Sequence, residues 1–333
     1  MSLSTAPLPI VRETAVPATR SMSGLIMALT SALAFASSGP FVKPLIEAGW
    51  SVGAALLVRM AIAGLVLSPA LIRVLRRSPG FLHRHGLFVV GFGVVAVAGI
   101  QLFYFSAMSR MPVAVALLLQ YLAPVLLVGF VWFRTRRAPS PIVLTGSAVA
   151  LIGLVLVVDI SGARFDLLGT VFGLAAAVCT VAFFVLSARA GDEIPPLALA
   201  AGGLLTGAAV IGGLMLIGVL PFAAPMVSVE LAGVQVAWFV PLLWVAAVAT
   251  TLGYAFGVMA VPRIGSRVAS FVGLSEVLFA LAFAWLFLGE VPAPIQLVGG
   301  AVLLVGVVLV RSEADSPGSP RGEAASLPAA PAP

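Results

Sequence analysis

Residues 139–157 read PSPIVLTGSAVALIGLVLV, and residues 292–310 read PAPIQLVGGAVLLVGVVLV. At an offset of 153 they agree at 12 of 19 positions. Low-complexity apolar sequence inflates such agreement, so the prolines and glycines carry the comparison. Pro139 falls on Pro292, Pro141 on Pro294, Gly146 on Gly299 and Gly153 on Gly306; upstream, Trp132 meets Trp285. Both segments are free of charge. Each is close to the roughly 20 apolar residues that cross about 30 Å of hydrocarbon as a helix. The same membrane span occurs twice.

The rest of the chain has the same character. Of 333 residues, 61% are apolar and only 9% are charged, against about 25% charged in an ordinary soluble domain. Thirty charged side chains cannot form the polar shell that a soluble globule of this size needs. That excludes a soluble enzyme, a nucleic-acid-binding protein and a disordered chain. Breaks at charges, Pro and Gly divide the chain into ten apolar runs, near 22–46, 51–73, 86–108, 111–133, 141–159, 167–189, 196–220, 236–260, 265–288 and 292–311. Lipid offers backbone groups no hydrogen bonds, so each run must be helical. The short alternating segments of an outer-membrane barrel do not occur. The fold class is an all-α integral membrane protein of ten transmembrane helices.

With the N-terminus in the cytoplasm, the inside segments hold 14 basic residues, from Arg12 to Arg321. The outside segments hold Lys43, Arg110 and Arg164, and Arg59 lies within a span. The positive-inside rule then places both termini in the cytoplasm. The net charge of +6 reads as a topology signal, with membrane lipids as the partner of that face. Residues 1–21 and 312–333 are rich in Pro, Ala, Ser and Gly and read as disordered cytoplasmic tails. The segment before the first span does not read as a cleavable signal peptide. Cys179 is the single cysteine, so no cysteine-based metal site is expected. His83 and His85 share one basic loop and read as solvated. No metal or other cofactor is implied.

The duplicated span extends to its neighbours: span 4 repeats as span 9, and more weakly span 1, with Gly24, repeats as span 6, with Gly169. The expected halves are residues 22–160 and 161–311. Because each holds five helices, an odd number, the second enters the membrane inverted. Two inverted five-helix repeats form a transporter architecture: exchanging tilts between the halves moves an opening from one side to the other.

At the level of motifs the chain resembles the drug/metabolite transporter superfamily, in particular its ten-span EamA-like group. The resemblance covers about residues 22–311. It rests on Ser38-Gly39-Pro40 followed by Lys43 in span 1, on LLVRMAIAGL around Arg59 in span 2, and on LLLQYLAPVLLVGF in span 4. It rests also on LSEVLFALAFAWLFLGE followed by the repeated span at 292–310. Two positions depart from the family pattern: Glu276-Val277 stands where the family has Glu-Pro, and Arg136-Arg137 where the first repeat ends in Gly-Glu. The resemblance implies an inner-membrane carrier, often an exporter of amino acids or other small metabolites.

Polar side chains at mid-depth are costly, about 2.5–3.5 kcal/mol for a charge on insertion scales, and mark candidate sites. Glu276 is the one acidic residue at mid-depth; it can pair with a substrate ammonium, exchange a proton, or simply fasten helices. Arg59 can grip a carboxylate bidentately, or form a structural ion pair or snorkel. Lys43 is a substrate-binding candidate, or lies close enough to the end of span 1 to snorkel. Gln120 and Tyr121 occupy the middle of span 4, and Pro124 frees a carbonyl near Gln120. That suits a cavity wall or an interhelical hydrogen bond. Ser37, Ser38, Gly39 and Pro40 form a similar break in span 1, where loosened backbone and Ser38 can bind ligand or the chain can bend, so Gly39, Pro40 and Pro124 are candidate hinges. Tyr254, Thr250 and Thr251 in span 8, and Tyr104 in span 3, are polar patches that serve either packing or substrate. Gly169-x-x-x-Gly173 and Gly203-x-x-x-Gly207 permit close helix contacts, within the bundle or across a homodimer, so monomer and homodimer both stand. Trp50 and Trp238 read as interface anchors.

No Gly-x-x-x-x-Gly-Lys-Ser/Thr stretch is present, so direct ATP drive is not expected. Neither Gly-x-Ser-x-Gly nor His-Glu-x-x-His nor a carboxylate pair lies in the spans, so an intramembrane enzyme is not expected. The sequence therefore points to a secondary exporter of small metabolites, proton- or potential-linked, working by alternating access in a bacterial inner membrane. A carrier or flippase of lipid-linked or nucleotide-sugar intermediates, or a non-transporting scaffold, are the alternatives it leaves open.

Overall fold

The computed structural model describes residues 18–158, 166–190, 193–289 and 291–314; most of the two expected tails lies outside this set. Among the described residues, ten helical stretches are long and apolar enough to cross a membrane. They are span 1 (Met22–Glu47), span 2 (Val52–Arg77), span 3 (Phe81–Met108), span 4 (Val115–Thr135) and span 5 (Pro141–Val158). Spans 6 to 10 are Leu167–Ala190, Pro196–Leu216, Phe239–Ile264, Ser266–Phe287 and Pro294–Glu313. Large apolar side chains remain exposed around them, among them Leu65, Ile152, Val178 and Val308. A bundle solvated by lipid buries no such side chains on its outer face.

Side-chain caps fix several helix starts by satisfying orphan N–H groups. Ser51 Oγ accepts from Ala54 N (3.2 Å) at span 2, Ser140 Oγ from Val143 N (3.3 Å) at span 5, and Asp166 Oδ1 from Gly169 N (2.6 Å) at span 6. Between spans 7 and 8, strands β1 (Val229–Leu231) and β2 (Val234–Val236) form an antiparallel hairpin around Ala232-Gly233, both at positive φ. This connection folds back over span 2. Ser51 N donates to Ala223 O (2.9 Å), and Trp50 Nε1 donates to Pro225 O (2.9 Å). Trp50 is consequently buried, only 4% exposed, against Trp238. It is a packing residue and not the interface anchor its position at a span end suggested.

The offset of 153 reappears in the shapes of the helices. Span 4 breaks after Gln120 and span 9 breaks after Gly273. Span 4 stops at Arg136 and span 9 at Gly289, both in the left-handed region (φ 58° and 70°). The first Gly-Glu of the family pattern is thus filled by an arginine that adopts glycine's conformation, with its guanidinium 4.9 Å from the Phe133 ring centre. Spans 3 and 8 each carry a π-helical stretch, Gly93–Gly99 and Val245–Leu252, which overlap at the same offset. In span 8 the hydroxyls of Thr250 and Thr251 donate to carbonyls five residues back, Val245 O (2.8 Å) and Ala246 O (2.7 Å). The threonines thereby pair the carbonyls of the widened turns.

Spans 5 and 10, the quoted repeat, pack on each other through its four glycines. A Cβ on Gly153 would overlap the Leu303 backbone and one on Gly306 the Ala150 backbone. A Cβ on Gly146 would meet Val310 and one on Gly299 Val157. These contacts are antiparallel, and each has its repeat-equivalent counterpart. The other paired glycines are also filled from within the chain: Met111 lies over Gly169 and Leu119 over Gly173. Phe92 and Val97 lie over Gly203, and Val97 and Met60 over Gly207.

Candidate functional site

The breaks and π-helical stretches converge on one polar group. In span 9 the helix ends at Gly273 and restarts as Ser275–Leu288, which places Glu276 in the first turn of the new segment. A carboxylate there faces the positive end of the helix dipole and its unpaired N–H groups. The family's proline is absent beside Glu276, yet the helix breaks all the same. In span 4 the break falls at Tyr121–Leu122, and the helix resumes as Ala123–Thr135 with Pro124 in its first turn. Proline is tolerated there because that N–H has no helical partner. Pro124 therefore starts a segment instead of kinking a continuous helix.

These two breaks face each other. The Tyr121 hydroxyl lies at hydrogen-bonding reach of the Glu276 carboxyl. Tyr104 of span 3, Arg59 of span 2 and Tyr254 of span 8 all lie close enough to Glu276 to interact electrostatically. Arg59 also interacts electrostatically with Tyr254, and Tyr254 lies near the side chain of Gln101. Gln101 and Tyr254 are themselves separated by the offset of 153 and stand just beyond the two π-helical stretches, so the repeat sets equivalent positions near one another. Tyr254 is buried, 3% exposed, with its ring edge-on to Phe35 (5.2 Å) and Phe183 (6.1 Å). Arg59, Gln101, Tyr104, Tyr121 and Glu276 are all half-buried.

Arg59 and Glu276 attract one another without closing into an ion pair, and the Arg59 Nε is buried without a hydrogen-bond partner. A guanidinium left so is expensive. An acid and a base close enough to interact, without an ion pair between them and with the Arg59 Nε unspent, have the form of a site for a small polar ligand.

The structure thus brings together Glu276, Tyr121, Arg59, Tyr104 and Tyr254 of the sequence candidates. Gln120 is half-buried at the end of its segment; its neighbour Tyr121 makes the contact with Glu276. In span 1 the helix breaks at Ser37 and restarts as Ser38–Glu47, with Ser38 half-buried, Gly39 exposed and Pro40 buried. Lys43 is exposed on that second segment. This segment belongs to an aromatic cluster: Phe41 stacks on Trp244 (4.8 Å) and meets Phe287 (5.5 Å), and Trp244 Nε1 donates to Ser37 Oγ (3.2 Å). Thr250 and Thr251 turn their hydroxyls onto their own helix, so they shape span 8 and contribute no free group. Gln101 was not anticipated from sequence, although an amide in the apolar run GIQLFYF, at the repeat-equivalent position of Tyr254, was the available signal.

The family model described as the EamA-like transporter family matches residues 22–159 and again residues 167–312. The chain belongs to the EamA-like transporter family. Like other members of this family it is a multi-pass membrane protein built for transport. The threonine/homoserine exporter RhtA of Escherichia coli K12 is 25% identical over 66% of this EamA-like chain and 70% of its own. A protein of Streptantibioticus cattleyicolor named a "probable terminal-alkyne amino-acid exporter" is 31% identical over 63% of this chain and 70% of its own. A crystal structure of a protein 20% identical to this EamA-like chain superposes with a TM-score of 0.64, covering 89% of this chain and 96% of the other, a likeness of fold.

Proposed function

We propose that this chain is a secondary carrier that exports amino acids or related small metabolites across a bacterial inner membrane, with both termini in the cytoplasm. The observation that carries the reading is the pair Arg59 and Glu276, which form no ion pair with each other, Glu276 at the break of span 9 and Arg59 within span 2. The names of two relatives, both amino-acid exporters, support the substrate class.

The transport step is alternating access. The two halves, related by a pseudo-twofold axis in the membrane plane, exchange tilts around the central group. Repeat-equivalent breaks give each half a place to bend, with Gly39, Pro40 and Pro124 at hinges. A proton or the membrane potential supplies the energy. One charge crossing the membrane is worth about 2.3 kcal/mol per 100 mV, enough to hold roughly a fifty-fold substrate gradient. Glu276 serves as the group that meets either the proton or the substrate. The charged and titratable groups facing it are Arg59 from span 2, Tyr104 from span 3, Tyr121 from span 4 and Tyr254 from span 8.

The test is efflux from bacterial cells that express the chain, with amino acids measured in the medium at two external pH values. Wild type is expected to raise the external level of at least one amino acid over empty-vector cells, and Glu276→Gln to abolish the pH response. Unchanged levels of every amino acid overturn the exporter reading. Full, pH-sensitive efflux by Glu276→Gln overturns the role of Glu276.

A further inference from the structure

The geometry points to a site selective for zwitterions whose side chain carries no charge, with the α-carboxylate on Arg59, the α-ammonium on Glu276 and the side chain among Tyr104, Tyr121 and Gln101. This rests on reading the chain as an amino-acid carrier.

The charge inventory makes the case. Among the described spans, Arg59 and Glu276 are the charged residues at mid-depth; the others stand toward span ends. Their charges cancel, so an empty site is neutral as a whole, yet neither group is locally satisfied by the other. The Arg59 Nε has no hydrogen-bond partner, and Glu276 makes no ion pair with Arg59, with the Tyr121 hydroxyl near its carboxyl. An α-amino acid answers both deficits at once. Its carboxylate accepts the guanidinium's parallel donors, and its ammonium faces the carboxylate that Tyr121 orients.

Once those two groups are engaged, the remaining polar lining is hydroxyl and amide. A third charge on the ligand would then sit deep in the bundle with no counter-charge, and uncompensated buried charge is penalised heavily. Lysine, arginine, aspartate and glutamate therefore bind poorly. A ligand missing one pole leaves Arg59 or Glu276 unpaired, so 2-hydroxy acids and primary amines bind poorly as well. The same logic reverses in variants. Removing the charge of Glu276 leaves an isolated cationic site, which suits a carboxylate without an ammonium group. Removing that of Arg59 leaves an isolated anionic site, which suits an amine.

The experiment is competition for counterflow in proteoliposomes containing purified full-length protein. Threonine, lysine, glutamate, lactate and ethanolamine are the probes, applied to wild type, Glu276→Gln and Arg59→Gln. Thermal melting of each variant confirms folding. In wild type, threonine is expected to compete at least about tenfold better than any of the other four. In Glu276→Gln the threonine-to-lactate ratio is expected to fall by about tenfold or more, and in Arg59→Gln the threonine-to-ethanolamine ratio. Should Arg59→Gln fail to fold, Glu276→Gln alone decides. If wild type takes lysine or glutamate as well as threonine, the charge selection is wrong although the carrier stands. The same holds if Glu276→Gln keeps the wild-type threonine-to-lactate ratio. If wild type exchanges no amino acid, both the inference and the carrier reading fall.

Discussion

Replacing Gly153 by alanine tests whether the repeated span is built to touch its own copy. An added Cβ would overlap the Leu303 backbone nitrogen, with the Leu303 Cα at 2.6 Å and the Gly299 carbonyl oxygen at 2.7 Å. All three obstacles are backbone, so no rotamer change relieves them and the helices must separate. Restoring an ordinary carbon contact of about 3.5–4.0 Å asks for roughly 1 Å of movement. Such a gap forfeits a quarter to a half of each contact, each worth about 0.1–0.2 kcal/mol. For a contact set the size of one buried leucine's, about 40 atom pairs, the loss is roughly 1–4 kcal/mol, in line with about 1–3 kcal/mol for overpacked cores. Gly306→Ala meets the Ala150 backbone in the repeat-equivalent way and is expected to cost the same. Because one separation relieves both clashes, the double variant should cost clearly less than the sum. Gly91 and Gly129 have open space around them, so alanine there should be neutral or stabilising by up to about 1 kcal/mol. The assay is thermal unfolding of the detergent-solubilised protein, in which 1–3 kcal/mol is expected to lower the midpoint by roughly a few degrees. If Gly153→Ala and Gly306→Ala melt together with Gly129→Ala, the close antiparallel contact is wrong.

Three further outcomes follow from local geometry. Gly265, between spans 8 and 9, has φ of 80° and ψ of 155° with open space around it, whereas the equally open Gly80 has φ of −83°. Gly265→Ala should therefore lower the melting midpoint through strain of roughly 1–3 kcal/mol, with Gly80→Ala as the silent control. Trp244→Phe deletes the bond to Ser37 and part of the stack on Phe41. It should cost about 1–2 kcal/mol in the same melt, and Ser37→Ala on top of it should add little. Tyr121→Phe removes the hydroxyl facing Glu276. It should weaken substrate affinity by roughly ten-fold or more at unchanged melting temperature, read from the concentration dependence of exchange.

What the sequence made legible was periodic or compositional. Ten apolar runs set the spans, because nothing but a helix satisfies its backbone in lipid. The glycines at 146, 153, 299 and 306 were legible as a repeat. Their mutual contact was not, since a repeat says which residues are alike and not which ones touch. Glu276 and Arg59 stood out as charges in apolar runs and Tyr121 as a polar group in mid-span, but that Tyr121 stands beside Glu276 was not legible. Gln101 escaped because an uncharged amide costs little beside a carboxylate, although its offset from Tyr254 was in plain view. The helix break before Val277 was also unpredictable from residue type, because no proline marks it and the packing of Gly273 and Leu274 sets it. Trp50 was misplaced for a related reason. A tryptophan at a span end reads as an interface anchor until a folded connection, here the one carrying β1 and β2, covers it.

We propose that this chain moves amino acids through a single deep site. Counterflow of radiolabelled threonine in proteoliposomes of purified protein, driven by unlabelled amino acids trapped inside, tests it most directly. Saturable accumulation whose half-saturating threonine concentration rises by about tenfold or more in both Arg59→Gln and Glu276→Gln, with melting unchanged, is the predicted result. Accumulation in wild type that both variants retain in full would contradict it.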